Sequence, residues 1–171
     1  MKIFIGYDSK TGSAKECAYM LKKEFPLHEV TLCDLRGGFA DISGYDFVVI
    51  GGSVRMGKLS RYTLGLLRNE KEKIKGTPHA FYICCGSATD ADGYIRKNFP
   101  AELLDTAVIS SCFGGELKPE RCHGIEKIII RLARKYMLTN DEIDHPSEFK
   151  TMPSLLPEKI SYFADRIRDT F

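Results

Sequence analysis

The chain has 171 residues, of which 43% are hydrophobic, and its 25 basic and 23 acidic residues nearly cancel. This length and composition predict one folded domain over residues 1–171, large enough to bury a hydrophobic core. The balanced charge argues against a nucleic-acid partner, and no apolar run approaches the roughly 20 residues that an integral membrane segment needs. Because a predicted strand starts at Lys2 with no secretory leader before it, we expect a cytoplasmic location.

An apolar strand, predicted over residues 2–7, leads directly into the loop Asp8-Ser9-Lys10-Thr11-Gly12-Ser13-Ala14. A helix is predicted over residues 13–25, because apolar side chains from Cys17 to Phe25 recur at helical spacing. A hydroxyl-rich loop between a buried strand and a helix offers backbone N–H groups and the positive helix end to an anion. The loop has no Walker or dinucleotide glycine pattern and no cysteine nucleophile inside it. It therefore predicts a site that binds phosphate without attacking it.

Strands and helices alternate along the rest of the chain. Further strands are predicted over residues 29–33, 46–51, 80–85 and 106–112, and further helices over residues 60–73, 93–98, 123–136 and 157–168. This alternation favours an α/β fold with a five-stranded parallel sheet and helices on both faces. Right-handed crossovers favour the strand order 2-1-3-4-5, which places a ligand crevice at the carboxyl ends of strands one and three.

The loops after strands three and four have the composition of binding loops. The first is Gly51-Gly52-Ser53-Val54-Arg55-Met56-Gly57-Lys58, and the second is Cys85-Gly86-Ser87-Ala88-Thr89-Asp90-Ala91-Asp92-Gly93-Tyr94. Glycines let the backbone approach a flat ring closely, and peptide groups can pair with the polar edge of that ring. Each loop alone is also consistent with an ordinary turn. Three such loops at one edge of a sheet favour a shared ligand site.

The cysteines and histidines do not predict a metal site or acid–base catalysis. The six cysteines, which show no Cys-x-x-Cys spacing, are Cys17, Cys33, Cys84, Cys85, Cys112 and Cys122. Most fall on predicted strands or helix faces, where cysteine behaves as a small buried hydrophobe. The adjacent Cys84 and Cys85 leave a redox role open, and Cys122-His123 lacks a second pair of ligands. We predict no metal ligand and no catalytic side chain.

The first loop resembles the phosphate loop of the flavodoxin family, Ser/Thr-x-Thr-Gly-x-Thr. Ser9-Lys10-Thr11-Gly12-Ser13-Ala14 matches it except at Ala14, which lacks the expected hydroxyl. The resemblance implies a flavodoxin-like three-layer sandwich with FMN as the cofactor. It implies that Ser9 to Ala14 hold the FMN phosphate, that Ser53 to Lys58 line one side of the isoalloxazine, and that Cys85, Gly86, Ser87, Ala88 and Tyr94 line the other.

Within this superfamily the chain is similar to the menaquinone-dependent protoporphyrinogen oxidase type. The similarity lies in Ile50-Gly51-Gly52-Ser53-Val54-Arg55-Met56-Gly57-Lys58 and in Pro78-His79-Ala80-Phe81-Tyr82. The chain differs from that type after strand four, where a shorter segment with Asp90 and Asp92 replaces a long basic insertion.

For the ring itself we expect Tyr94 to stack on one face and Met56 to cover the other, with Arg55 or Lys58 near the pyrimidine edge. Three functional classes remain open. The protein is an electron carrier between redox partner proteins, an FMN-dependent oxidoreductase acting on a small molecule such as a porphyrinogen or quinone, or a non-redox FMN-binding module. We favour the carrier, because the acidic segment after strand four lacks a basic surface for anionic substrates or membranes.

Overall fold

The computed structural model describes residues 1–38, 40–86, 91–115 and 154–171. Five parallel strands form one sheet in these residues, in the order β2-β1-β3-β4-β5. The strands are β1 (Lys2–Asp8), β2 (Glu29–Asp34), β3 (Phe47–Ser53), β4 (His79–Cys84) and β5 (Ile109–Cys112). The predicted fold class and strand order are therefore confirmed.

Helices cover both faces of this sheet. They are α1 (Ser13–Lys23), α2 (Arg61–Asn69), α3 (Lys71–Lys75), α4 (Ala91–Asn98), α5 (Ala101–Leu104) and α6 (Pro157–Arg168), with a short 3-10 helix at Leu35–Gly37 after β2. Alternate strand residues face opposite layers, as the two-residue period of a strand requires. Ile3 and Val49 pack with α1 and α6, whereas Phe4 and Val48 pack with α2 to α5. Burial on both faces explains the continuous apolar run of β3.

Most predicted boundaries lie within two residues of those in the structure, but two predicted elements differ more. The single helix expected over residues 60–73 is interrupted at Glu70, whose φ of −108° and ψ of 16° end α2 and start α3. The expected start of β5 at residue 106 is also too early, because the Thr106 hydroxyl donates to the Glu102 carbonyl at 3.2 Å. This bond holds Thr106 against the end of α5 instead of in the sheet. The helix predicted over residues 123–136 lies outside the described residues.

Candidate functional site

The loops after β1, β3 and β4 lie at the carboxyl edge of three neighbouring strands. The register pairs Asp8 with Gly52 and Ser53 with Cys84, so the three strands end at nearly the same level. Because the strands are parallel, all of these loops open toward one side of the sheet. This edge contains the candidate site.

Gly12 shapes the loop between β1 and α1. Its φ of 101° lies in the left-handed region, and its amide donates to the Ser9 hydroxyl at 3.0 Å. Its carbonyl accepts from the Glu16 amide at 2.9 Å and so begins the helix. Since glycine has no side chain to cap α1, the first amides of the helix are left for a ligand or water. An anion is the group that such a helix start binds best.

Ser13 and Ala14 differ from the exposed part of this loop. Both side chains are buried, and Ala14 lies in the core between α1 and the sheet. The buried Tyr82 hydroxyl donates to the Ala14 carbonyl at 3.1 Å. A hydroxyl-bearing residue at position 14, as in the phosphate-loop pattern, would therefore replace a methyl group of the core. Lys10 and Thr11 lie on the accessible side of the loop.

Residues 55–58 form a tight hairpin in the loop after β3. The Arg55 amide donates to the Lys58 carbonyl at 2.9 Å, and the Lys58 amide donates to the Arg55 carbonyl at 3.0 Å. The two central residues, Met56 and Gly57, have φ values of 48° and 76°. Positive φ at both positions is the pattern of a type I′ turn.

Met56 lies at the tip of this hairpin and its side chain is fully exposed. Its expected role as a cover for one face of a bound ring stays a prediction. Tyr94 is closer to the turn: a Cβ built on Gly57 would lie 3.7 Å from the Tyr94 ring. The hairpin and the aromatic side chain at the start of α4 are thus direct neighbours.

Asn98 joins the hairpin to α4. Its side-chain oxygen accepts from the Leu59 amide at 2.7 Å, and its side-chain nitrogen donates to the carbonyls of Gly57 at 3.1 Å and Tyr94 at 2.8 Å. Asn98 is buried, so these bonds fix the loop to the helix that carries Tyr94. The sequence analysis missed Asn98, since an asparagine near a helix end is ordinarily a local cap.

A cleft of about 320 Å³ lies beside the loops that follow β1, β2 and β3. Its lining residues are Asp8, Lys10, Arg36, Ser53, Arg55, Lys58, Leu59, Ser60 and Tyr62. Four of these are basic and only Asp8 is acidic, so the cleft is positively charged. Arg36 also donates to the Ser9 carbonyl at 3.3 Å, which connects β2 to the phosphate loop. The sequence analysis predicted Lys10, Ser53, Arg55 and Lys58 as site residues but missed Asp8, Arg36 and Ser60.

Asp8 ends β1 at the bottom of this cleft and is almost fully buried. The Ser60 hydroxyl donates to Asp8 and accepts from the amides of Tyr62 and Thr63 at the start of α2. Burial raises the pKa of Asp8 above its ordinary value, although the positive charge of Arg36 acts in the opposite direction.

Ser53 ends β3 and lines the cleft. Its hydroxyl oxygen is buried and makes no hydrogen bond within the described part of the chain. Such an atom normally has a partner, because an unsatisfied buried polar group costs about 1–3 kcal/mol. A ligand at the sheet edge would supply one.

The loop after β4 is described only at its ends. Cys85 is buried and its amide donates to the Gly114 carbonyl at 3.0 Å, so its side chain faces the core and only its backbone lies at the edge. Gly86 is exposed. Ser87 and Ala88 lie outside the described residues. The Val54 amide donates a hydrogen bond to the Cys84 carbonyl at 2.8 Å, which ties the β3 loop to the end of β4.

The described segments contain neither a membrane-spanning helix nor a cluster of metal-ligating side chains. None of their helices combines the length and apolar character required to cross a bilayer. None of their His, Cys, Asp and Glu side chains forms a group of three or more that could hold a metal ion.

The five-stranded parallel sheet in the order 2-1-3-4-5, with helices on both faces, defines a doubly wound α/β protein of the flavodoxin class. The family model described as Flavodoxin domain matches residues 4–144. The chain belongs to this family. No curated protein matches it.

Solved structures resemble the chain at low sequence identity. Oxidised flavodoxin 1 from Bacillus cereus superimposes with a TM-score of 0.60 and 13% identity, covering 100% of this chain and 99% of that one. Fusobacterium nucleatum flavodoxin bound to flavin mononucleotide has a TM-score of 0.53 and 10% identity, covering 99% and 98%. Rubredoxin oxygen:oxidoreductase from Desulfovibrio gigas has a TM-score of 0.49 and 16% identity. The match covers 78% of this chain but only 34% of that one, so this chain spans about a third of its length. At these identities the two flavodoxin structures support the fold.

Proposed function

We propose that this protein binds FMN and carries electrons between partner proteins. The observation that carries the proposal is the start of α1, where left-handed Gly12 leaves the first helix amides without a side-chain cap at the carboxyl end of β1. Membership in the flavodoxin-domain family supports the same cofactor. So does the fold shared with a flavodoxin whose structure contains flavin mononucleotide.

The residues present fit a phosphorylated cofactor. Ser9 holds the loop in shape, the amides at the start of α1 supply donors, and the buried Ser53 hydroxyl lacks a partner among the described residues. A phosphate at this point would receive hydrogen bonds from neutral donors and the favourable field of the helix. Lys10 adds a positive charge on the exposed side of the loop.

We assign the other predicted site residues to the flavin ring of FMN. The hairpin from Ser53 to Lys58 would line one side, and the loop from Cys85 to Ala88 with Tyr94 would line the other. Bound FMN supplies reversible transfer of one or two electrons, while the protein determines its orientation and electrostatic surroundings. Because Tyr94 and Gly57 are close neighbours here, a ring placed between them requires the hairpin to move outward.

The positive charge of the cleft also indicates which kind of redox partner protein would bind. Arg36 and Lys58 belong to different loops, yet both line the cleft beside the proposed cofactor loops. A positive surface near the electron-transfer site attracts a negatively charged partner and accelerates their encounter. We therefore propose an acidic redox protein as the partner.

The central test compares FMN with riboflavin, which lacks the phosphate, by calorimetric titration. We expect one FMN per chain and much weaker binding of riboflavin. Ser9→Ala removes the hydroxyl that accepts from Gly12, so it should weaken FMN binding by about 1 kcal/mol, or roughly fivefold in Kd. Riboflavin binding should hardly change.

Ser43→Ala is the matched control, because Ser43 is an exposed serine in the loop before β3, away from the cleft residues. Its FMN affinity should equal that of the unaltered protein. No binding of FMN would refute the proposal. Equal losses for FMN and riboflavin in Ser9→Ala would locate the phosphate elsewhere.

The basic cleft also favours a second candidate, an FMN-dependent oxidoreductase with an anionic substrate such as a porphyrinogen, as in the protoporphyrinogen oxidase type. The two candidates differ in their products. With FMN-loaded protein, the carrier predicts electron exchange with a flavodoxin reductase and slow porphyrin formation. The oxidase predicts rapid porphyrin formation with a quinone acceptor and little exchange with the reductase.

A further inference from the structure

Two cysteines at the carboxyl edge of the sheet lie within reach of a disulfide bond. Cys85 directly follows β4, and Cys112 ends β5. Their sulfur atoms are 3.3 Å apart, and the two side chains are only 6% and 2% exposed. A disulfide has a sulfur separation of about 2.05 Å, so the two sulfurs need to approach by only about 1.3 Å.

The neighbouring backbone holds this pair together. The Cys85 amide donates to the Gly114 carbonyl at 3.0 Å, which ties the start of the β4 loop to the segment after β5. A Cβ on Gly115 would lie 2.8 Å from the Cys85 carbonyl carbon, so the two segments are in close contact. The pair is thus preorganised by contacts that do not involve the sulfurs.

The polar neighbours of Cys112 favour its thiolate form. Its pKa is lowered to about 6, chiefly because of the hydrogen bond with Cys85. The Gly114 amide and the positive charge of Lys159 act in the same direction, against the opposing effect of burial. A thiol with this pKa is mostly ionised at neutral pH, and the thiolate is the nucleophilic form.

A second cysteine pair on the opposite face of the sheet provides a comparison. Cys17 and Cys84 have a sulfur separation of 3.6 Å, and both are buried. The pKa of Cys84 is raised well above its ordinary value by its hydrogen bond to Cys17 and by burial. The raised pKa keeps the Cys84 thiol protonated at neutral pH, although the spacing of its pair is similar.

We propose that Cys85 and Cys112 are a redox-active dithiol that a hydroperoxide converts to a disulfide. The Cys112 thiolate attacks one peroxide oxygen, forming an S–O bond as the O–O bond breaks, and the leaving oxygen takes a proton to become water or an alcohol. The Cys85 sulfur then attacks the Cys112 sulfur, the S–S bond forms, and the hydroxyl leaves as water with the proton of Cys85. The two thiols lose two electrons in total, and the peroxide gains them. A small dithiol reductant reverses the change.

The test uses the full chain without added flavin, so it is independent of the proposed cofactor. The protein is treated with stoichiometric hydrogen peroxide at pH 7, remaining thiols are alkylated, and peptides are mapped by mass spectrometry. Because Cys84 adjoins Cys85 in the sequence, the cross-link is assigned in the Cys84→Ser variant. We expect a Cys85–Cys112 disulfide that dithiothreitol removes.

Cys112→Ser should abolish the cross-link, and Cys85→Ser should leave Cys112 as a sulfenic acid that dimedone traps. Cys17→Ser is the matched control at an equally buried cysteine, and it should retain the cross-link. At pH 7 Cys112 should be oxidised on the order of tenfold faster than Cys84, because the lowered pKa of Cys112 favours its thiolate whereas the raised pKa of Cys84 keeps that thiol protonated. The oxidation rate should rise with pH through the pKa of Cys112, which is about 6, and level off roughly one pH unit above it.

Three results would overturn the proposal. They are the persistence of both thiols under peroxide, a disulfide between Cys17 and Cys84 in preference to the proposed pair, and oxidation at Cys112 that is as slow as at Cys84. A dimedone adduct on Cys112 of the Cys85→Ser variant also separates nucleophilic reactivity from a merely structural role of the pair.

Discussion

At the scale of single residues, Asp8 has the most unusual environment of the candidate site. It is buried at the end of β1, accepts a hydrogen bond from Ser60, and has Arg36 and Arg55 as charged neighbours. Burial outweighs these positive charges, so the pKa of Asp8 is raised in the folded state. A carboxyl with a raised pKa reduces stability when it is ionised.

Asp8→Asn should therefore stabilise the protein at neutral pH. The folded protein holds the Asp8 proton more tightly than the unfolded chain does, so this group favours folding below its unfolded pKa of about 3.9 and loses that contribution as pH rises through the folded value. Asparagine keeps an oxygen that accepts from Ser60 and carries no charge. Urea unfolding from pH 3.5 to 8 should show a stability difference that is largest at neutral pH and shrinks toward acid.

The control is Asp105→Asn, an exposed aspartate after α5. Its stability difference from the unaltered protein should be small across the same range. Lower stability of Asp8→Asn at pH 7 would show that the charge interactions with Arg36 and Arg55 outweigh burial.

At the scale of elements, the site depends on how α1, α4 and the β3 loop are held against the sheet. Tyr82 on β4 stacks on Phe113 with ring centroids 4.9 Å apart and donates to the Ala14 carbonyl at the start of α1. Gly51 on β3 leaves the space that this ring fills. Asn98 connects α4 to the hairpin segment through its hydrogen bonds with the Leu59 amide and the Gly57 carbonyl.

Gly51→Ala should destabilise the protein by about 1–3 kcal/mol, because the new methyl group overlaps the buried Tyr82 ring. Moving that ring also strains its hydrogen bond to Ala14. Gly65→Ala is the matched control: a Cβ there meets nothing within 4 Å, so the change should stabilise α2 by about 0.5–1 kcal/mol. Chemical denaturation measures both. Equal stability of the two variants would contradict the packing described here.

Asn98→Ala should cost about 2–4 kcal/mol, since it leaves the Leu59 amide and the Gly57 carbonyl without their side-chain partner. Hydrogen exchange should increase at the amides of residues 57–59 more than elsewhere. Asn69→Ala, at an exposed position near the end of α2, should change stability by less than about 0.5 kcal/mol. An unchanged exchange rate at Leu59 would show that Asn98 does not hold the hairpin.

At the scale of the whole molecule, the nearly balanced net charge does not reveal how the charged side chains are distributed over the surface. The formal net charge is only +2, yet four basic side chains from different loops line one cleft. Interactions of such a surface with a charged partner weaken as salt screens them, over a Debye length of about 8 Å at physiological ionic strength. Partner choice is therefore expected to depend on this local charge.

Lys58→Glu should slow electron transfer from an acidic [2Fe–2S] ferredoxin to the FMN-loaded protein. At low salt we expect a decrease of roughly tenfold, measured by stopped-flow reduction of the flavin, because the variant repels the partner during encounter. Lys75→Glu, an exposed lysine at the end of α3, should have little effect. In the unaltered protein the rate should fall as salt increases. A rate that rises with salt would indicate a basic partner instead.

The sequence by itself determined the α/β class, the strand order and the loops that meet at the carboxyl edge. These features follow from local patterns: apolar runs mark buried strands, and a glycine with neighbouring hydroxyls marks the turn from β1 into α1. The placement of Ser9, Gly12 and Ser53 at one edge of the sheet could be predicted, because loops after neighbouring parallel strands must open to the same side.

Only the tertiary structure decided which distant side chains meet. Asp8 and Ser60 are 52 residues apart, and Asn98 is 39 residues from Leu59, so no local pattern could pair them. The type I′ turn exposes the Met56 side chain. The fold also brings the sulfur atom of Cys85 within 3.3 Å of the sulfur atom of Cys112, a contact that the sequence does not predict. Burial, charge proximity and the pKa shifts of Asp8 and Cys112 depend on three-dimensional surroundings, which a linear sequence does not contain.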